Sequence, residues 1–453
     1  MQQTNIKDFT KGKIFPQLMS FALPLFLSNL LQIVYNMADM IIVGHKLGET
    51  GISAVSVGGD VSALMTFVAI GFANAGQVII AKLIGAGQKH KISAFVGTMT
   101  GFLMLCAVII STLALIFREE ILWLMHTPSE SWDGALEYSS ICMAGLVFIY
   151  GYNIVSAVLR GMGDSKHPFI FIAIATVTNI ILDIIFVIVL PYGAMGAALA
   201  TVISQALSFV ISIVFLCRHR SEFELDLKIG IFFKWSREML SSLIKLGVPM
   251  AIKLAAVQIS KLFVNSWINS YGVTVSAFAG IANKISSIAN LVSGAMNTAG
   301  STMVGQNIAA GCFDRVKQIL RCLAYTTLTV ATVISAAILL FPDFVFRLFT
   351  SDAAVLAIAP KYIPIAILLF YASAMRAIMN ALINGSGNYK VNFATAIMDG
   401  IVLRIGLALL FGLALNMQHY GFWLGDALAG FTPFWIGVIF YFTGKWKSNS
   451  KKI

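Results

Sequence analysis

A group of polar residues in the N-terminal half has the spacing of one helix face. Its members are Gln32, Tyr35, Asn36 and Asp39, set among apolar neighbours. Intervals of three and four residues put side chains on the same side of a helix. Pro24, which precedes them, removes one backbone hydrogen bond and allows the helix to bend. Because a charge at the depth of a bilayer is costly, Asp39 is a candidate functional residue.

Asp183 is a second acid in an apolar stretch, and Asn179 lies one helical turn before it. Asn153 and Thr201 lie on two neighbouring apolar stretches. If these segments form a bundle, oxygen atoms from carboxylates, amides and a hydroxyl converge, which suits a hard cation such as sodium. Two buried carboxylates also suit a proton. We therefore predict a cation or proton site, with Asp39 and Asp183 as the sodium-binding carboxylates. The alternative is that each acid is satisfied separately and fixes helix packing.

The C-terminal half carries a different set of polar residues within its apolar stretches. They are Lys253, Gln258, Lys261, Asn265, Lys284, Arg376, Asp399, Arg404 and Asp426. Lys253 and Lys261 are eight residues apart and share a similar helix face. One interpretation is internal ion pairing, with Asp399 and Arg404 among the partners. The other is a cationic wall of a substrate cleft, which would favour anionic or zwitterionic groups. In the N-terminal half, Asp60 lies either near a span end or in the cleft.

The composition is that of a membrane protein. The 453 residues are 58% hydrophobic and only 11% charged, whereas a soluble domain carries about 25% charged residues. Continuous apolar stretches recur along the chain, and a helix of about 20 such residues crosses a bilayer. We predict an all-α membrane protein with twelve transmembrane helices, at 15–44, 51–80, 93–117, 136–160, 168–190, 196–217, 241–270, 275–304, 318–341, 357–384, 391–415 and 421–443.

The sequence does not contain the residue constellations of common enzymes. It has no HExxH motif and no Gly-Lys-Ser/Thr after its glycine-rich turns. We therefore expect no enzyme activity and no cofactor. We expect a coupling ion, sodium or a proton, to drive transport in place of ATP hydrolysis. The net charge of +11 is assigned to cytoplasmic loops rather than to nucleic-acid binding, because most loop lysines and arginines fall on the side of both termini. This predicts a multi-pass inner-membrane protein with both termini in the cytoplasm.

The two halves of the chain repeat each other at an offset of 224 residues. The offset pairs Gly48 with Gly272, Gly87 with Gly311 and Gly163 with Gly387. A constant offset of this length indicates parallel repeats related by an axis along the membrane normal. We predict two pseudo-symmetric six-helix bundles, at 1–220 and 241–453, joined by a cytoplasmic linker at 221–240.

Several segments together carry a family resemblance. They are Pro24 with the run from Gln32 to Gly44, the turn from Gly161 to Lys166, and the segments Asn179–Asp183 and Tyr192–Gly196. With them the sequence resembles the multidrug and toxic compound extrusion (MATE) family, DinF-like branch. The resemblance implies two six-span bundles in a V-shaped arrangement and drug export driven by sodium or proton entry. It also implies a cation site on Asp39, Asn153, Asn179, Asp183 and Thr201.

Other branches of that family use a glutamate in span 7 and an aspartate in span 10. This chain has lysines in span 7 and Arg376 in span 10. We therefore do not expect a cation site of that type in the C-terminal bundle.

The predicted function is secondary active antiport, in which small organic molecules leave in exchange for sodium ions or protons by alternating access. Neutralisation of Asp39 and Asp183 would let the first span bend at Pro24 and change the side to which the cleft opens. The alternative is a lipid-linked oligosaccharide flippase of the same superfamily, and a non-transporting receptor or scaffold is a further interpretation. The expected partners are a small-molecule substrate and the lipid bilayer, with no nucleic acid, and we expect a monomer.

Overall fold

The computed structural model describes residues 6–226, 229–232 and 235–450. Residues 1–5 and 451–453, at the ends of the two predicted bundles, lie outside the described residues, and so do 227, 228, 233 and 234 of the predicted linker. The described part is helical and has no β-strand. The all-α class predicted from the continuous apolar stretches is confirmed.

The helices of the N-terminal half, within the described ranges, are α1 (Ile14–Gly85), α2 (Ile92–Ile116), α3 (Arg118–Leu124), α4 (Trp132–Ala144), α5 (Leu146–Gly161), α6 (Lys166–Asp183) and α7 (Gly193–Arg218). A π-helical segment, Ile184–Val189, continues α6. Short 3-10 segments cover Lys89–Lys91, Ser129–Ser131 and Ile229–Phe232.

The helices of the C-terminal half are α8 (Arg237–Asn269), α9 (Val273–Ala309), α10 (Phe313–Leu340), α11 (Pro342–Arg347), α12 (Ala353–Leu356), α13 (Ala359–Ser386), α14 (Tyr389–Ile397), α15 (Leu403–Leu409), α16 (Gln418–Ala429) and α17 (Thr432–Phe442). Two π-helical segments, Met398–Val402 and Leu410–Ala414, flank α15. A 3-10 segment covers Lys445–Ser450.

Ten helices in the part of the chain that the structure describes are long and apolar enough to cross a membrane. The pair Ser129–Ala144 and Leu146–Gly161 forms an eleventh span with a bend of 47°, so the predicted span 136–160 is interrupted at Gly145. Helix α1 has 72 residues and breaks at Gly48, where φ is 66° and ψ is −154°. Each arm of α1 is long enough for one crossing, which brings the number of spans to the predicted twelve.

The glycine pairs of the sequence repeat also share a backbone conformation. The φ angles are 66° and 108° for Gly48 and Gly272, 71° and 74° for Gly87 and Gly311, and 90° and 69° for Gly163 and Gly387. Residues with a side chain disfavour positive φ, so glycine is suited to these breaks and helix ends. Three glycine pairs of the predicted repeat therefore have matching backbone conformations.

The chain forms two compact units. Unit 1 consists mainly of Leu27–Ile84 and Gln88–Ala251, and unit 2 consists of Asp8–Phe26, Gly85–Gly87 and the part from Ile252 onward. The first part of α1 therefore belongs to unit 2, and the rest of α1 belongs to unit 1.

Small residues on α7 allow close packing within unit 1. A buried stripe at every fourth position consists of Gly196, Ala200, Ser204, Ser208 and Ser212. Small side chains at this interval let helix backbones approach each other along one face. Helix α7 packs against α4, α5 and α6, and the Ser208 hydroxyl donates to the Phe171 carbonyl of α6 at 3.2 Å. This helix therefore holds together the elements that carry the candidate site.

Unit 2 is centred on α13, which packs against α9, α10, α16 and α17. Its core contains a cluster of large rings, with Phe278, Tyr362 and Trp423 in mutual contact at centroid distances of 5.0 to 5.6 Å. Burial of such rings contributes a large apolar area. Tyr362 and Trp423 of this cluster share one cavity wall with Arg404 and Asp426.

Candidate functional site

One polar face of α1 faces α7 within unit 1. The hydroxyl oxygens of Tyr35 and Thr201 are 2.9 Å apart and form a hydrogen bond. Asp39, one turn further along α1, is buried, with 5% of its surface exposed. Gln32 and Asn36, on the same face, are exposed. The face therefore runs from an accessible polar region to a buried carboxyl group.

Asn179 and Asp183 lie at the end of α6 and are completely buried. Five side-chain atoms at this place have no hydrogen-bond partner within the described ranges. They are the amide nitrogen and oxygen of Asn179, both carboxyl oxygens of Asp183 and Oδ1 of Asp39. A buried polar group without a partner costs free energy, and an ionised carboxylate costs far more. These oxygens therefore have the chemistry to hold a proton or a cation.

The two acids are electrostatically coupled. The carboxyl groups of Asp39 and Asp183 are near enough to interact, and both act on the Tyr35 hydroxyl. Two like charges in a medium of low dielectric constant repel each other, and a bound cation or proton relieves this repulsion. Asp183 is followed by the π-helical segment Ile184–Val189, a type of irregularity found frequently at functional sites.

A cavity of about 520 Å³ in unit 1 adjoins this group of residues. The predicted residues in its wall are Gln32, Tyr35, Asn36, Asp39, Asn153 and Thr201. The Asn153 amide donates to the carbonyl of Ile149 at 2.8 Å, which leaves its side-chain oxygen available. Asn179 and Asp183 do not line the cavity and are buried in the surrounding protein. A small organic molecule fits a space of this size.

Two further residues of the cavity wall were not assigned to the site from the sequence. Tyr138, on α4, lines the cavity and is 5% exposed, and Asp60 lines it from α1. Asp60 therefore lies in the wall of this cavity within unit 1. Tyr138 and Cys142 are one helical turn apart and both line the cavity. The four-residue interval between Tyr138 and Cys142 is the only sequence feature that indicates a shared helix face for Tyr138. The same interval is also common among residues of apolar cores.

Pro24 lies inside α1, in the part that belongs to unit 2. Asp39 lies in the part of α1 that belongs to unit 1. The helix remains continuous through Pro24, so the bend expected there is not a helix break in this structure.

The C-terminal half contains a buried ion-pair group. Arg404 donates to a carboxyl oxygen of Asp399 at 2.7 Å and also forms an ion pair with Asp426. The side chains of Arg404 and Asp399 are each 1% exposed. One guanidinium group therefore bridges two carboxylates, as the internal-pairing interpretation proposed for Asp399 and Arg404.

Of the other predicted C-terminal residues, three line a second cavity and three lie outside its wall. Lys261, Asn265 and Arg376 line a second cavity, within unit 2. Lys253 donates to the side-chain oxygen of Asn380 at 2.5 Å and does not line that cavity. Gln258 and Lys284 are exposed and lie outside the cavity wall.

The repeated helical halves, each with an internal cavity, are typical of a polytopic helical membrane transporter. The sequence profile of the MatE family matches residues 24–185 and 249–410. The two matches begin 225 residues apart, close to the repeat offset of 224 residues. The chain belongs to the MatE family, and it is a multi-pass membrane transport protein rather than an enzyme.

Curated relatives match the chain almost from end to end. The probable multidrug resistance protein YoeA of Bacillus subtilis (strain 168) is 28% identical over 444 residues, which cover 97% of this chain and 96% of the relative. The probable multidrug resistance protein NorM of Thermotoga maritima is 24% identical over 442 residues, which cover 97% of this chain and 94% of the relative.

Solved structures have the same fold. An outward-facing multidrug resistance MATE family transporter of the MOP superfamily has a TM-score of 0.90 with 22% identity and covers 100% of both chains. A MOP superfamily transporter from Pyrococcus furiosus has a TM-score of 0.90 with 21% identity, again over 100% of both chains. At these identities the likeness concerns the fold alone.

Proposed function

We propose that the protein is a secondary active antiporter that exports small organic molecules, drugs or metabolites, in exchange for sodium ions or protons by alternating access. The observation that carries the proposal is the pair of buried acids, Asp39 and Asp183, with unpartnered carboxyl oxygens among the described residues. Asp39 also lines the cavity of about 520 Å³. The relatives named as multidrug resistance proteins support export as the direction of transport.

The coupling follows from the energetics of the buried acids. An ion that binds Asp39 and Asp183 removes their repulsion and the cost of burying them as charged groups. A substrate in the cavity shares the wall that contains Asp39, Tyr35 and Thr201. Ion and substrate therefore both act on Asp39, and each changes the affinity for the other through a shared conformational equilibrium.

Export also requires a defined orientation. We propose that both termini lie in the cytoplasm, because loop lysines and arginines are concentrated on their side of the membrane. Attachment of a membrane-impermeant reagent to a cysteine introduced near either terminus in intact cells would contradict this orientation.

The proposed coupling is tested with purified protein in liposomes. Transport of ethidium and of carboxyfluorescein is followed under a sodium gradient alone and under a pH gradient alone. We expect Asp39→Asn and Asp183→Asn each to lower gradient-driven transport at least tenfold, because the amide holds neither a proton nor a sodium ion with comparable affinity. Asp133→Asn is the matched control, since Asp133 is exposed in the first turn of α4 and does not line the cavity. Wild-type transport by both site variants under both gradients would contradict the proposal.

A further inference from the structure

The cavity within unit 2 is small and has a polar wall. Its volume is about 50 Å³, whereas a cavity volume of about 10–15 Å³ already holds one water molecule. The cavity therefore has room for one small polar group rather than for a whole drug molecule. The charged residues of the wall are Lys261, Arg376, Arg404 and Asp426, and the amides and hydroxyls include Asn265, Asn290 and Ser373.

Arg404, in the wall of this cavity, already pairs with two acids, Asp426 in the wall and Asp399 outside it. Arg404 holds Asp399 at 2.7 Å and also pairs with Asp426. Its Nε donates in addition to the main-chain oxygen of Asp399 at 3.3 Å. The carboxylates of this group are therefore engaged by Arg404, and the group retains one net negative charge.

Lys261 and Arg376 bring two positive charges to the same wall. In the described ranges neither forms an ion pair, and the hydrogen bond of Arg376 is a long one, from Nε to the Gly430 carbonyl at 3.4 Å. Lys261 is attracted by Asp426, but the carboxyl group of Asp426 is bonded to Arg404. The wall therefore offers N–H donors that have no anion of their own.

A further cation increases the positive excess. Lys253, on α8 with Lys261, is held by the neutral amide of Asn380. It interacts electrostatically with Arg376 and Asp399. With Lys253 included, four cationic side chains face two carboxylates, so this buried region has a positive charge that a bound anion would neutralise.

We propose that this cavity binds the carboxylate or phosphate group of a water-soluble organic anion, with Lys261 and Arg376 as its cationic ligands. This inference rests on the proposed function, because it names the chemical class of the exported molecule. A guanidinium group presents paired N–H donors that match the two oxygens of a carboxylate or phosphate, and an ammonium group adds a point charge. The amide nitrogens of Asn265 and Asn290 in the wall supply neutral donors for the remaining oxygens, whereas the Ser373 hydroxyl already donates to the Asn290 side-chain oxygen at 2.8 Å.

The test is binding to the purified protein in detergent, without an ion gradient. Acetate, inorganic phosphate and, as a cationic control, methylammonium are titrated at constant ionic strength, and heat of binding and melting temperature are recorded. We expect saturable binding of acetate or phosphate and none of methylammonium. Lys261→Gln and Arg376→Gln should each weaken the binding at least tenfold, and Arg376→Lys should weaken it less than Arg376→Gln. Lys390→Gln, which changes an exposed lysine on α14, should bind as the wild type does.

Several outcomes would overturn the inference. They are stronger binding of methylammonium than of the anions, unchanged binding in both Gln variants, or stabilisation by phosphatidylglycerol with no effect of acetate or phosphate. Circular dichroism and size exclusion establish that each variant is folded, and Arg376→Lys retains the charge if Arg376→Gln does not fold.

The binding test also separates this inference from the proposed antiport. Asp39→Asn should abolish ion-driven transport and leave anion binding intact. Transport coupled to an ion, together with no anion binding by the folded wild type, would overturn only the inference about this cavity.

Discussion

The hydroxyl oxygens of Tyr35 and Thr201 lie 2.9 Å apart, so a hydrogen bond joins α1 to α7 one turn away from Asp39. The two residues are separated by 166 positions in the chain. A movement that separates α1 from α7 at this point lengthens or breaks this bond. A change in the protonation or ion binding of Asp39 can therefore act on the cavity wall through this hydrogen bond.

Replacement of Thr201 by valine should destabilise the protein by about 1 kcal/mol, the typical net contribution of one hydrogen bond. The Tyr35 hydroxyl then loses its partner, whereas Thr201→Ser keeps the hydroxyl. We expect Thr201→Val to lower both the melting temperature in detergent and the ion-driven transport rate, and Thr201→Ser to retain most of both. Equal behaviour of the two variants would show that the hydroxyl has no role.

Replacement of Asp183 by asparagine should separate stability from transport. The Asp183 carboxyl group is completely buried and has no hydrogen-bond partner within the described ranges, so its ionised form is costly in the folded protein. We expect Asp183→Asn to melt at the same or a higher temperature than the wild type while ion-driven transport falls at least tenfold. A lower melting temperature with normal transport would mean that Asp183 is structural.

The local part of the candidate site was predictable from the sequence. Intervals of three and four residues put Tyr35 and Asp39 on one face of α1, and Asn179 and Asp183 on one face of α6, because helix periodicity alone determines this. Which helices meet is a tertiary property. The sequence placed Thr201 in the site only on the condition that its helix bundles with the others, and its bond to Tyr35 is seen only in the structure. Tyr138 was missed because a tyrosine on an apolar helix face usually indicates core packing.

The ion-pair group in unit 2 shows why the C-terminal half was harder to predict. Asp399 and Arg404 are five residues apart, which in a regular α-helix separates their directions by about 140°. The π-helical segment Met398–Val402 has a wider turn, and it brings the two side chains to the same side of the helix. No feature of the sequence indicated this segment, so the pairing was one of two open interpretations.

Removal of Arg404 should be strongly destabilising. Arg404→Leu leaves the Asp399 carboxylate, which is 1% exposed, and the Asp426 carboxylate, which is 19% exposed, without the guanidinium group that bonds both. Loss of one partner of a buried ion pair costs about 3–5 kcal/mol. The double variant Asp399→Asn, Arg404→Leu removes the more deeply buried carboxylate together with the guanidinium group, keeps Asp426 as a counter-charge for Lys261, and should recover much of the stability. Thermal melting of the single and double variants in detergent measures the difference. If Arg404→Leu alone melts as the wild type does, the ion-pair group contributes nothing to stability.

Arg315 should hold the N-terminal segment against α10. Its Nε donates to the Phe9 carbonyl at 2.9 Å, and its Nη2 donates to the Lys11 carbonyl at 2.8 Å and to the Gln17 side chain at 3.1 Å. Lysine cannot reproduce this forked arrangement. We expect Arg315→Lys to speed amide hydrogen exchange in residues 9–11 about tenfold, which corresponds to a loss of about 1.4 kcal/mol of local stability. Arg321→Lys, at an exposed position of the same helix, should leave the exchange unchanged.

The break before α9 depends on a glycine conformation, and α9 itself contains a matched control. Gly272 has φ of 108° and ψ of 170°, in a region that is accessible essentially only to glycine and that costs other residues about 1–3 kcal/mol. An added Cβ meets no atom within 4 Å at Gly272 or at Gly280, which lies inside α9. Any cost at Gly272 therefore comes from backbone strain and not from a steric clash.

We expect Gly272→Ala to lower the melting temperature in detergent, and Gly280→Ala to raise it or leave it unchanged, because alanine favours a helix by about 1 kcal/mol over glycine. The same asymmetry should appear between Gly48→Ala, at the equivalent break in α1, and Gly280→Ala, because Gly48 also has open space around its Cα and a positive φ. If alanine is tolerated equally at Gly272 and Gly280, the backbone at the break is free to adopt another conformation, and the repeated glycines are not required for the turns between spans.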